Sequence, residues 1–284
     1  MNVTIESLTT YPLKSAGGCA LTSTRLKIDG LPSDRRWMLV DEAGRFVSQR
    51  RLPKMALLST SLSTEGIQIG YPGRHSLVVN RMKEGDSFRV TMHRPDENLE
   101  VFGAGEEAAQ WFTECFEDSS IDSLRLVRLV NGFARRIPDR PEDNQQQVQL
   151  SDGYPFLVAC QSSLDLLNER FGVKSGMPLE MERFRPNIVL GGTDPWSEMK
   201  NGQVLEDESG SIRLRLVKPC QRCTIPQVDP TTGERDLPAE LHEVLRELDR
   251  DRESPLNCFG QNAILESGHS ETLSVGQSLR LLSA

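Results

Sequence analysis

The sequence predicts a mainly β protein with some helix, its first hundred residues forming a barrel or sandwich. Two observations lead there. Through roughly the first hundred residues, short apolar runs are punctuated about every ten residues, a spacing that favours a barrel or sandwich over helix-rich folds. The length of 284 residues, at ~150 per domain, fits one large domain or two ordinary ones. That is enough chain to bury a core without disulfide or metal staples.

Taken in order, Val3, Ile5 and Leu8 open an extended run that stops at Tyr11-Pro12, and Leu21 to Ile28 alternates until Gly30, Pro32 and Ser33 break it. Trp37-Met38-Leu39-Val40 and Arg45-Phe46-Val47 flank Asp41-Glu42-Ala43-Gly44, a hairpin signal with glycine at the end of the turn. Short strands are expected at Ala56–Ser61, Ile67–Ile69, Ser76–Val79 and Ser87–Met92. The period changes over Glu106–Phe116, where Ala108, Trp111, Phe112 and Cys115 share a helical face. Leu124–Leu129 reads as a strand and the polar Arg135–Val148 as an exposed loop, so the domains are set at 1–120 and 121–284. Phe156-Leu157-Val158-Ala159 reads as a buried strand, and Ser162 or Ser163 as the N-cap of a helix bearing Leu164, Leu167 and Phe171. Strands are expected at Arg185–Leu190 and Ile212–Val217, a helix over Glu240–Arg250, and a last strand after Val275-Gly276.

Composition narrows function. Lys and Arg total 33 against 41 Asp and Glu, a net charge of −8, which disfavours general binding to a phosphate backbone while leaving room for a local basic site. No apolar run approaches the ~20 residues of a membrane helix. The first residues lack the layout of a secretory signal, so the expected address is cytoplasmic. Of the six cysteines only Cys220 and Cys223 lie close together, and no spacing fits a plant-type iron–sulfur cluster.

The stretch Lys218-Pro219-Cys220-Gln221-Arg222-Cys223, followed by Asp229-Pro230-Thr231-Thr232-Gly233, carries the most chemistry. Arg222 is next to Cys223 in the chain, and a nearby guanidinium favours the thiolate that metals and electrophiles require. Three readings stand on the residues alone. A zinc site needs further ligands, and His242, Cys258 and His269 are scattered. A thioredoxin-like pair needs a helix N-terminus after a βαβ strand. The third reading is two small buried residues on a loop.

The same stretch resembles the signature of the MOSC domain, named for the C-terminal region of molybdenum cofactor sulfurases. Tyr11-Pro12-Leu13-Lys14-Ser15 and Asp34-Arg35-Arg36-Trp37 resemble the N-terminal β-barrel that accompanies it, and Phe184-Arg185-Pro186-Asn187, Phe259-Gly260-Gln261-Asn262 and Val275-Gly276 fit the same pattern. The resemblance covers nearly the whole chain and points to the group that includes the mitochondrial amidoxime-reducing components and their bacterial relatives. It implies two β-rich domains, an N-terminal β-barrel-like domain and a MOSC β-barrel domain, and a molybdenum–molybdopterin cofactor with Cys223 as the protein thiolate on the metal and as the catalytic residue, Cys220 being a neighbour. It also implies that Lys14, Ser15 and Arg35 hold the cofactor from the N-terminal side, and that Ser151, Asp152, Arg185, Asn187 and the backbone around Arg222 hold it from the other. Fixed guanidinium forks suit an anionic phosphate on a flat pterin. For a single arginine such as Arg36 or Arg183 the plainer role is an ion pair, for Asn187 a bond to its own backbone, and for Trp37 the core. No histidine is assigned a role.

The implied activity is reduction of N-hydroxylated compounds such as amidoximes, hydroxylamines and N-hydroxylated bases. Electrons would come from a separate ferredoxin, cytochrome or flavoprotein reductase. A carrier that binds the cofactor or sulfur without reducing a substrate is the alternative, and a cofactor-free scaffold the third. Gly153-Tyr154 departs from the small hydroxylated residues of the mitochondrial relatives, a change that would reshape the pterin pocket or the substrate mouth.

Overall fold

A computed structural model of the chain describes residues 1–80, 86–93, 98–133, 135–137, 147–175, 178–237, 240–251 and 257–283. Seven strands hydrogen-bond in the order Ile188–Gly191, Phe156–Cys160, Cys258–Ser267, Arg213–Gln221, Val204–Asp207, Ser278–Leu282 and Asn2–Thr10. Asn2–Thr10 then pairs with Ile188–Gly191, which closes the ring and removes the open edges a sheet would otherwise expose. Every neighbour pair is antiparallel except Phe156–Cys160 with Ile188–Gly191.

Side-chain alternation explains the closure. Val3 and Ile5 point into the barrel, the register shifts between Ile5 and Ser7, and the inward set resumes at Leu8. Val158, Ile188, Leu190, Leu205, Leu214, Leu216, Leu265 and Leu279 fill the same interior. Gly260 has φ of +73° and lies against the Val158 carbonyl, 2.8 Å from where a Cβ would sit, so only glycine fits there.

The N-terminal half forms a half-barrel sheet in the order Phe46–Val47, Trp37–Asp41, Leu124–Leu129, Leu99–Gly103 and Ser87–Val90, whose edges meet at a parallel bridge between Arg45 and Thr91. One face packs on the helix Glu106–Cys115 and on a three-stranded sheet through Trp37, Leu39, Ile67, Trp111 and Phe112, and the other gathers Met38, Val40, Val101 and Val127. The helices Gln161–Ser175 and Glu240–Asp251 meet outside the large barrel around Phe184 and Phe259.

The mainly β class and the hairpin hold, and in the hairpin Leu39 opposes Val47 and Val40 opposes Phe46. Four details differ. The segment around Ala56 is a 3-10 helix, Pro53–Leu57, and the strand starts only at Ser59, because proline at its head favours a turn. Ser162 and Ser163 are not caps: the helix begins at Gln161, and the Ser163 hydroxyl donates to the buried Glu198. Arg135–Arg136 and Gln147–Val148 pair as a short ladder at the ends of the expected loop, whose residues 138–146 lie outside the described ones. Strands also cross in space the boundary set at residue 120. Asn2–Thr10 belongs to the C-terminal barrel, and Leu124–Leu129 to the N-terminal sheet. No helix among the described residues is long and apolar enough to cross a membrane.

Candidate functional site

The pairing of Leu8 with Ile188 sets the segment after the first strand beside the turn before Ile188–Gly191. Parallel pairing puts the start of Phe156–Cys160 next to both. Arg213–Gln221 joins through Cys258–Ser267, where Lys218 faces Asn262. The result is a cleft of about 820 Å³, open mouth included, lined by Lys14, Ser15, Arg35, Ser151, Asp152, Arg185, Asn187, Arg222 and Cys223, all nine residues singled out from the sequence.

Three of these residues are held in left-handed backbone conformations, Ser15 at φ 69°, Arg35 at 44° and Arg185 at 58°. Such conformations are costly for residues with a Cβ and persist where the surroundings dictate them. Here hydrogen bonds do so. The Gln49 amide donates to the Ser15 carbonyl at 2.8 Å, Arg35 N–H donates to Tyr11 O at 2.8 Å, and Arg35 Nη2 donates to Arg185 O at 3.1 Å.

The inner wall is a closed network. Asn187 donates to Thr9 O and Asp34 Oδ1 and accepts from Leu157 N–H and Arg35 Nη1, each within 3.2 Å. Its amide thus ties together three separate segments rather than bonding its own backbone. Asp34 also accepts from Tyr11 N–H at 2.8 Å and from Arg35 at 2.6 Å. The Tyr11 ring lies between two guanidiniums, 4.4 Å from Arg35 and 4.3 Å from Arg185. Burial pushes the Tyr11 phenol up to about 12, against the pull of the two arginines. Burial first, then the Arg35 cation, pulls Arg185 down to about 10.

Lys14 is buried, donates to Leu150 O at 2.7 Å and pairs with Asp152. Burial lowers its ammonium, with Asp152 opposing. Burial raises the Asp152 carboxyl, but Lys14 and His93 outweigh it and hold the group well below the usual carboxylate range. The Asp152 side chain is 65% exposed, so water screens this pair. Ser151 contributes its carbonyl, which accepts from Arg135 at 2.5 Å.

Arg222 departs from expectation. Its Nη1 donates to Cys220 Sγ at 3.0 Å and its Nη2 to Phe184 O at 2.6 Å, so its charge serves the first cysteine and not its chain neighbour Cys223. Cys223 is exposed, and His242 Nε2 donates to its carbonyl at 3.1 Å. Cys220 lies within the strand and a three-residue 3-10 turn follows Cys223, which is not the helix N-terminus a thioredoxin-like pair needs. Among the described residues no three His, Cys, Asp or Glu side chains gather as metal ligands, so the zinc reading lacks its donors. Arg36 pairs with Asp29, and Arg183 is a buried cation among Glu180, Asp229 and Asp236.

The donor set fits an anionic, hydrogen-bonding group. Lys14, Arg35, Arg185 and Arg222 converge on one cleft, and Arg185 Nη2 and Arg222 Nε are buried without a hydrogen-bond partner. Unpaired buried donors are costly, and a phosphate or a pterin edge supplies the missing acceptors.

The human mitochondrial amidoxime-reducing component 1 is 30% identical over 300 residues, covering 98% of this chain and 83% of that protein. Residues 2–119 match the MOSC N-terminal beta barrel domain and residues 145–280 the MOSC domain. The chain belongs to the MOSC family. Two further relatives are the bovine mitochondrial amidoxime reducing component 2, 28% identical over 88% of this chain and 74% of its own, and a Drosophila grimshawi molybdenum cofactor sulfurase, 27% identical over 80% of this chain but only 28% of its own. The mitochondrial names do not directly fit the cytoplasmic address expected from the sequence.

Three residues not singled out from the sequence brace the walls of this MOSC cleft without lining it. His93, which reaches Asp152 at 2.9 Å, and Arg135, which braces the 149–152 backbone, are distant in sequence and carry no local pattern. Tyr11 sits inside a quoted motif, but only the fold shows it between two arginines.

Proposed function

We propose that this MOSC protein holds a molybdenum–pterin cofactor in the cleft and reduces N-hydroxylated compounds there, with electrons delivered by a separate ferredoxin, cytochrome or flavoprotein reductase. The observation that supports it most is the convergence of four cationic side chains, two with unpaired buried donors, on a cleft that also holds an exposed cysteine. Lys14, Arg35, Arg185 and Arg222 would hold the anionic parts of the cofactor, and Cys223 would supply the thiolate to the metal. When bound, the group supplies two-electron oxygen-atom transfer, so that an amidoxime plus two electrons and two protons gives the amidine and water. Asn187, Asp34 and Tyr11 keep the arginines in place before anything binds, which removes a reorganisation cost from binding. Asp152, on the cleft wall, is hydrogen-bonded to Lys14 and His93 and so is held in place beside the ammonium.

Protein purified from a cofactor-producing host, supplied with benzamidoxime and reduced viologen, should form benzamidine. A protein that carries molybdenum yet forms no amidine would be a cofactor carrier, and the reductase reading would fall.

A further inference from the structure

The cations of the cleft are not equivalent. Arg35 and Arg185 donate to protein acceptors and stack on Tyr11, Arg222 donates to Cys220 and Phe184, Lys14 to Leu150 and Asp152, and the donors that Arg185 and Arg222 leave unpaired are buried. Arg50 also lines the cleft but is exposed, and among the described residues its only side-chain bond is a long one from Nε to Ser48 Oγ at 3.4 Å. Its two terminal nitrogens have no partner among the described residues. Its backbone is nevertheless fixed. The Arg50 carbonyl accepts from Arg235 at 2.6 Å, and the neighbouring Gln49 is anchored to Ser15. A pinned base with an uncommitted guanidinium is an anion receptor of low ordering cost. Phe46, Tyr154 and Ile225 line the same cleft and offer apolar surface to a planar group.

We infer that Arg50 sets substrate preference, favouring planar N-hydroxylated compounds that carry a carboxylate or phosphate over their neutral counterparts. This rests on the proposed reductase reading. The reaction it selects balances as written above: the N–O bond breaks, the substrate gains two electrons and two protons, and the oxygen leaves as water.

The test compares benzamidoxime with 4-carboxybenzamidoxime on molybdenum-loaded wild type, Arg50→Gln and Arg50→Glu. Wild type should show the higher kcat/KM for the carboxylate substrate. The preference should shrink roughly fivefold in Arg50→Gln, the scale of one partly exposed charge pair, and reverse in Arg50→Glu, mainly through KM. A readout independent of turnover is calorimetric binding of 4-carboxybenzamidine and benzamidine to the same loaded proteins, where Arg50→Gln should weaken only the former and flatten its salt dependence. Molybdenum content equal to wild type in both variants assigns the effect to substrate. Lost molybdenum would place Arg50 on the cofactor and overturn the inference. Equal substrate ratios in all three proteins would overturn it too, with the reductase reading intact. Absence of any amidine from wild type would instead sink that reading.

Discussion

At the inner wall of the cleft Asn187 and Asp34 are buried and their side-chain polar atoms are bonded to protein, whereas at the mouth Cys223 and Arg50 face solvent and Arg50 keeps its terminal nitrogens uncommitted. The two regions line one cavity and answer to different physics. Buried polar atoms must be paired, so the inner wall is a stability element that fixes where the arginines stand. Exposed groups carry no such requirement, and the mouth can keep reactive or unpaired side chains at little cost to the fold. Substitutions in the two regions should therefore separate loss of stability from loss of activity.

The largest separation is expected at Cys223. Cys223→Ala should lower amidoxime turnover at least about 100-fold while the unfolding free energy stays within roughly 0.5 kcal/mol of wild type. Steady-state assays and urea unfolding on the same preparation check both halves, and a marked loss of stability would erase the contrast. At the inner wall, Asn187→Ala takes one hydrogen bond each from Leu157 N–H, Thr9 O and Asp34 Oδ1, the last keeping Tyr11 N–H, and should cost about 3 kcal/mol, read from the urea midpoint. Gly260→Ala tests the barrel behind that wall. A Cβ at positive φ against the Val158 carbonyl should cost about 2 kcal/mol, seen as a lower Tm with no change in substrate ratio.

The smallest effect is at the edge between the regions. The Asp152 carboxyl is held below its unfolded value, so its contribution is fully present above about pH 4 and is lost as pH falls through the depressed folded value. Asp152→Asn should flatten the acid limb of a Tm–pH profile and leave the neutral limb in place. A profile that steepens would contradict the pairing with Lys14.

Much of this cleft was legible in the sequence because its residues sit in short motifs beside strand ends, where proline and glycine punctuate the chain: Tyr11 to Ser15, Asp34 to Trp37, Phe184 to Asn187 and Lys218 to Cys223. What stayed hidden was long-range. Pairing of the first strand with Ile188–Gly191 and Ser278–Leu282 has no local signal, so the first strand's place in the C-terminal barrel could not be read from alternation. His93 and Arg135 reach the cleft only through the half-barrel sheet and the short ladder beside it. Adjacency also misled: Cys223 follows Arg222 in the chain just past the end of the strand Arg213–Gln221, yet the guanidinium turns back to Cys220, two residues earlier and still in the strand.

The central claim is that the four fixed cations and Cys223 form a seat for a molybdenum–pterin group. Elemental analysis for molybdenum, on wild type and Arg185→Gln purified from a cofactor-producing host, tests it most directly. About one molybdenum per wild-type chain and a clear deficit in the variant are expected, because Arg185 brings a buried unpaired donor to the cleft. Folded wild-type protein without molybdenum, or a variant loaded as fully as wild type, would contradict it.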